Sequence, residues 1–169
     1  MNWENWTPTE EATLLFVIRE GRILLIHKKR GLGAGLLNGP GGRLEKGETP
    51  IQAAMRETQE EVGITVNDPR FAGELWFDMT DGYKLRAYVF TAMQYDGIPV
   101  ETDEALPEWF ELDKIPFDRM WPDDILWFPL MLAGKTFVGK FVFDGMTMLE
   151  YDIRVTKLIN QIQDETTKR

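Results

Sequence analysis

Short apolar runs bounded by glycine or charge recur along this chain, and one stretch between them carries helical spacing with stop and start signals at its ends. The runs Thr13–Arg19 and Arg22–Lys28, split by Glu20-Gly21, predict a strand hairpin. Arg70–Asp78 and Lys84–Met93 predict two further strands, the second leading into a turn at Tyr95-Asp96-Gly97. Glu108–Leu112 reads as a short strand, and Thr136–Phe143 with Thr147–Ile153 as a closing hairpin around Asp144-Gly145. Residues 1–11, with Trp3 and Trp6, read as an irregular lead-in, and 155–169 as a polar tail with helical character.

The helical stretch is Pro50–Val62. Thr49 can cap it, Pro50 suits its first position, Gln52 sits where a capping-box partner reaches back, and Gly63 supplies the stop. Ile51, Met55 and Val62, with Ala54 beside them, form its apolar stripe and predict the buried face. A second apolar set, in Asp123–Ala133, is only partly helical in spacing, and Pro129 should kink or shorten any helix there. No repeat or linker interrupts the series. The economical reading is a single α/β domain spanning residues 1–169, with a mixed sheet between helices.

Composition narrows the chemistry. The 169 residues include no cysteine and one histidine, so thiolate zinc sites and cysteine nucleophiles are excluded. His27 lies inside a strand pattern without a nucleophile-elbow motif, and reads as structural. A net charge of −9 argues against polymer nucleic acid as a partner. It leaves open a small triphosphate whose charge is met by metal ions and local cations. No apolar run approaches ~18 residues and no signal peptide opens the chain, so a soluble cytoplasmic protein with no membrane partner is expected. Oligomeric state is left open.

The candidate chemistry is on the helix. Glu57, Glu60 and Glu61 stand at i, i+3 and i+4, so their carboxylates share one face. Such like-charge pairs cost a few tenths of a kcal/mol each, a sign that a hard divalent cation reverses. Arg56 precedes Glu60 by one turn and can hold it in place. Taken alone, three clustered glutamates are more often an ordinary solvated acidic face. The preceding loop decides between the two, because Gly42, Glu48, Arg56, Glu57, Glu60, Glu61, Gly63 and Ile64 fall in one fixed register.

That register resembles the Nudix box, the magnesium-binding signature of enzymes that cut diphosphate linkages attached to nucleosides. The resemblance implies a Nudix-type α/β/α sandwich with a mixed β-sheet. It implies Mg²⁺, with Mn²⁺ as the alternative, held by Glu57, Glu60, Glu61 and the Gly41 carbonyl. Arg56 would orient the glutamates, Glu104 would serve as ligand or base, and Lys28 would balance phosphate charge.

Flanking segments extend the likeness over roughly residues 12–153: Lys28-Lys29-Arg30-Gly31, Gly33-Ala34-Gly35, Asn38-Gly39 and the run from Met120 to Leu130, MWPDDILWFPL. They resemble the mammalian Nudix diphosphatases that remove oxidised purine nucleoside triphosphates such as 8-oxo-dGTP; bacterial MutT is a more distant likeness. The implied base pocket comprises Asp123, Asp124, Trp121 and Asn38, with Thr13 on the first strand, while Phe77 and Met79 share one strand face beside it. Two adjacent carboxylates can share a proton and so both donate and accept hydrogen bonds. Asp123, following Pro122, is equally placed to cap a helix. The chain departs from the mammalian pattern at Thr58, Leu32, Leu37 and Pro40. The expected reaction is Mg²⁺-dependent hydrolysis to nucleoside monophosphate and pyrophosphate, in nucleotide-pool sanitation. Ordinary dNTPs, nucleotide sugars or dinucleoside polyphosphates are alternative substrates, and a non-catalytic nucleotide-binding module is a further alternative.

Overall fold

The computed structural model describes residues 1–156. In chain order the strands are β1 (Glu10–Arg19), β2 (Arg22–Lys28), β3 (Leu37–Asn38), β4 (Thr65–Asn67), β5 (Arg70–Met79), β6 (Lys84–Ala92), β7 (Gln94–Asp96), β8 (Ala105–Glu111), β9 (Phe137–Asp144) and β10 (Thr147–Val155); the helices are α1 (Pro50–Val62) and α2 (Asp124–Leu132). The main sheet runs β10-β9-β5-β6-β1-β2-β3, with β8 also paired to β2. Its β1–β6 and β5–β9 pairs are parallel and the others antiparallel, so the sheet is mixed. Two separate cores flank it. Leu15, Val17, Leu24 and Phe90 pack with Ala54 and Val62 of α1, whereas Phe16, Leu25, Leu75 and Phe141 pack with Trp127 and Phe128 of α2. The α/β/α layering of the sequence reading is therefore present.

Helix α1 has the expected bounds and caps. The Thr49 side chain accepts from the Gln52 amide (3.3 Å), Gln52 reaches back to the Thr49 amide (3.0 Å), and Gly63 closes the helix at φ 77°. Its buried face differs from the expected stripe. Ile51 is exposed and Met55 half-buried, while Ala53, Ala54, Thr58, Glu61 and Val62 are buried. Small Ala54 and Thr58 let the helix lie close on the sheet, and the Thr58 hydroxyl donates to the Ala54 carbonyl (2.7 Å). That rotation carries Glu61 inward.

The β1–β2 hairpin is real only at its tip, through the Ile18↔Ile23 and Arg19↔Arg22 pairs. Beyond the tip β2 leaves β1 and pairs with β8 along its whole length, from Arg22↔Glu111 to Lys28↔Ala105. The expected turn after Lys84–Met93 contains β7, which pairs with β4 in a separate two-stranded sheet. Pro129 stands inside α2, a helix of nine residues. Of the tail read as 155–169, Val155 ends β10 and residues 157–169 lie outside the described residues. The lead-in is not idle. The Trp6 ring stacks on Trp76 of β5 at 5.0 Å, Trp3 packs edge-on to both, and the Trp6 indole N–H donates to Asp78 (2.9 Å). Among the described residues no helix is long and apolar enough to cross a membrane.

Candidate active site

A cavity of about 400 Å³ opens where β1, β3, β5, β6 and α1 converge, within the ~300–1,000 Å³ range of small-molecule sites. Two groups of carboxylates share its wall. Glu57 and Glu61 come from α1, and Glu104 from the turn before β8; ligating oxygens of the three lie within 4.8 Å of one another. Asp123 and Asp124 come from the start of α2.

The first group is set by close backbone approach. A Cβ on Gly41 would stand 1.8 Å from the Thr13 carbonyl, and one on Gly42 would stand 2.5–2.7 Å from the Glu57 carboxylate atoms. With glycine at both positions the loop passes between β1 and α1, and the Gly41 amide donates to Glu61 Oε2 (3.3 Å). Arg56 stands behind the cluster, outside the cavity lining. Its guanidinium donates to Glu48 (2.7 and 3.0 Å), Glu57 (3.0 Å), Glu60 (3.2 Å) and the Arg43 carbonyl (3.1 Å). The Arg56 hydrogen bonds hold the Glu48 carboxyl down at about 2.

Glu61 is 5% exposed. Burial first, and the Glu57 charge second, push its carboxyl up to about 8, against the Gly41 hydrogen bond and Lys28. Burial likewise raises Glu57, although Arg56 opposes it. Burial lowers Lys28, partly offset by Glu61 and Glu57. Three crowded carboxylates, with the charge of Glu57 and Glu61 disfavoured by burial, are the hard oxygen donor set of Mg²⁺ or Mn²⁺, so these residues fit a divalent cation.

The second group is deeper. Asp123 is 1% and Asp124 7% exposed. Asp123 occupies the N-cap position of α2, yet its side chain makes no cap bond. Instead Oδ2 accepts from the Trp127 indole (2.9 Å), and Oδ1 is buried without a protein partner. Burial raises both carboxyls, and the neighbouring Asp123 charge raises Asp124 further.

Thr13, Lys28, Asn38, Phe77 and Trp121 all line the same cavity. Phe77 is held by stacking on Phe141 at 5.4 Å and Trp121 by edge contact with Phe143 at 5.8 Å. Glu60, like Arg56, lies outside the lining: its side chain is 51% exposed and paired with Arg56. Sequence reasoning missed Leu85 and Ala87, which β6 sets beside Phe77 and Leu75 through the pairs Phe77↔Leu85 and Leu75↔Ala87. The alternation Leu85-Arg86-Ala87-Tyr88-Val89 carries that signal. It also missed Tyr83 and Arg43 on the lining, both bound to Glu10: the Tyr83 hydroxyl donates to one oxygen, and Arg43 pairs with the other at 3.2 Å.

A NUDIX domain model matches residues 8–131. The chain is 46% identical to the oxidized purine nucleoside triphosphate hydrolase of Danio rerio, over 90% of this chain and 95% of that protein. It is 44% identical to the Mus musculus protein of the same name, over 84% and 92%. Among solved structures, a MutT protein from Bacillus halodurans superimposes with a TM-score of 0.77 at 25% identity, covering 85% of this chain and 97% of that one. Domain match, identity and fold agree: the chain is a member of the Nudix hydrolase family.

Proposed function

We propose that this hydrolase cleaves oxidised purine nucleoside triphosphates, such as 8-oxo-dGTP, to the monophosphate and pyrophosphate, and that it does so with Mg²⁺. The observation that carries the substrate reading is the buried Asp123–Asp124 pair, with an unpartnered Asp123 oxygen, in the same cavity as the glutamate cluster. A buried polar atom without a partner costs about 1–3 kcal/mol, which a purine edge able to donate would recover. The names of the Danio and Mus relatives support the same reading.

Glu57, Glu61 and Glu104 would hold the cation, which when bound supplies Lewis-acid polarisation of a phosphoryl group and neutralises its charge. Glu60 and the Gly41 carbonyl are assigned to the metal by family resemblance. Arg56 keeps Glu57 and Glu60 in fixed rotamers, and Lys28 balances phosphate charge. Trp121 offers a stacking face, Asn38 and Thr13 polar contacts, and Phe77 the apolar wall of the base site. The Asp pair keeps one proton to donate and lone pairs to accept, which suits a purine whose edge has been altered by oxidation. Such a substrate belongs to the nucleotide pool, so a cytoplasmic role in its sanitation is included in the proposal.

The test is a panel of kcat/KM values for 8-oxo-dGTP, 2-oxo-dATP, dGTP, nucleotide sugars and dinucleoside polyphosphates, with pyrophosphate assayed as product. A clear preference for the oxidised purines is expected. Equal values for 8-oxo-dGTP and dGTP would remove the sanitising role.

A further inference from the structure

We propose that Thr102 is a positioning residue for the metal cluster: its one hydroxyl ties the main chain of Glu61 to that of Glu104, fixing two carboxylates that come from distant parts of the chain. The inference rests on the divalent-metal reading of the site and extends it to a residue outside the cavity lining.

The geometry is specific. Thr102 Oγ1 donates to the Glu61 carbonyl at 2.7 Å and accepts from the Glu104 amide at 3.3 Å. Glu61 lies in the last turn of α1, where carbonyl groups lack partners within the helix. The hydroxyl therefore fills a vacancy at the helix end and at the same time closes a tight turn under Glu104. One atom thus connects the backbone of both residues, and a shift of the turn moves Glu104 relative to Glu61.

The remaining contacts hold the turn from its other side. The Thr102 amide donates to the Ala105 carbonyl (2.9 Å), and the Lys29 amide to the Glu104 carbonyl (3.0 Å). Lys29 Nζ donates to the Thr102 carbonyl (2.8 Å) and Glu101 (2.6 Å), and Arg30 pairs with Glu104 Oε1 at 3.0 Å. Those contacts anchor the turn to the end of β2. The Thr102 hydroxyl and the Val100 amide, which donates to the Val62 carbonyl (2.9 Å), anchor it to α1. Of these two, only Thr102 grips a residue of the cluster itself.

The prediction is separable from general stability. Thr102→Val keeps size and branching and deletes the hydroxyl; Thr102→Ser keeps the hydroxyl and deletes the methyl. Groups that orient metal-ligating residues typically contribute about 10–100-fold to metal affinity. Equilibrium Mn²⁺ binding, read from the electron paramagnetic resonance of free Mn²⁺ without substrate, should weaken about tenfold or more in Thr102→Val. It should stay near wild type in Thr102→Ser. The Mg²⁺ concentration giving half-maximal velocity should rise in parallel, with the nucleotide KM at saturating Mg²⁺ unchanged. Wild-type Mn²⁺ affinity in Thr102→Val, or equal weakening in both variants, would overturn the proposal. If Thr102→Val does not fold, Thr102→Ala is read in its place; loss of folding in both, with Ser folded, would assign the hydroxyl to the fold and likewise overturn it. The 8-oxo-dGTP to dGTP preference of the wild-type enzyme is a separate readout, so failure of the substrate reading leaves a different mark.

Discussion

Glu61 shows how one side chain can belong to both the core and the chemistry. It is buried with Ala54, Thr58 and Val62, yet its carboxylate faces Glu57, Glu104 and Lys28. Glu61→Gln keeps the shape and removes the charge, so turnover should fall about 10²–10³-fold while the thermal midpoint of the metal-free protein at pH 8 stays level or rises. A fall in stability with activity intact would contradict that placement. Asp124→Asn removes the second buried carboxyl beside Asp123. The kcat/KM for the preferred purine should drop roughly fivefold to 150-fold, the equivalent of about 1–3 kcal/mol, with the thermal midpoint level or raised; an unaltered panel would count against base recognition there. At this scale the sequence was partly readable. The register from Gly42 to Ile64 named Glu57 and Glu61, but i, i+3, i+4 spacing cannot say which glutamate turns inward. Glu60 faces solvent, and Glu104 joins the cluster from the turn before β8.

Elements whose signals are local were legible. Both caps of α1 could be read because Thr49, Gln52 and Gly63 act within four residues of the atoms they satisfy. The face it buries could not, because apolarity favoured Ile51 and Met55 while the sheet accepts the smaller Ala54 and Thr58. The parting of β1 from β2 was equally hidden, since it depends on β8, far along the chain. The short β4–β7 pair had no flanking signal strong enough to separate it from a turn. Arg56 illustrates what α1 contributes beyond the glutamates. Its planar fork reaches Glu48, Glu57, Glu60 and the Arg43 carbonyl together, which an ammonium cannot reproduce. Arg56→Lys should raise the Mg²⁺ requirement about 10–100-fold; an unchanged metal titration would reduce Arg56 to a surface ion pair.

For the molecule as a whole, the buried carboxyls set the response to pH. Glu61, Glu57, Asp123 and Asp124 all have folded-state values raised above the unfolded range, Glu61 to about 8. A raised group favours the fold while it is protonated in both states, and that contribution is lost as pH climbs through the folded value. Between about pH 4.5 and 8 the metal-free protein should therefore lose stability as pH rises, by up to about 1.4 kcal/mol per pH unit for each titrating group. Glu48 has the opposite sign, but its folded value of about 2 confines it to more acid conditions. Calorimetry in chelator across that window should give a falling midpoint, restored at pH 8 by divalent cation. A flat profile would mean that the carboxyls are better solvated than their burial implies.

The pairing of β8 with β2 also dictates when the site can come into being. A chain that has wound α1 but has yet to bring Ala105–Glu111 alongside Arg22–Lys28 owns two members of the trio and lacks the third. A divalent ion would then find little to hold until that long-range pairing is complete, and would act as a latch rather than a template. Stopped-flow kinetics should accordingly show Mg²⁺ slowing the unfolding limb while leaving the refolding limb where it was.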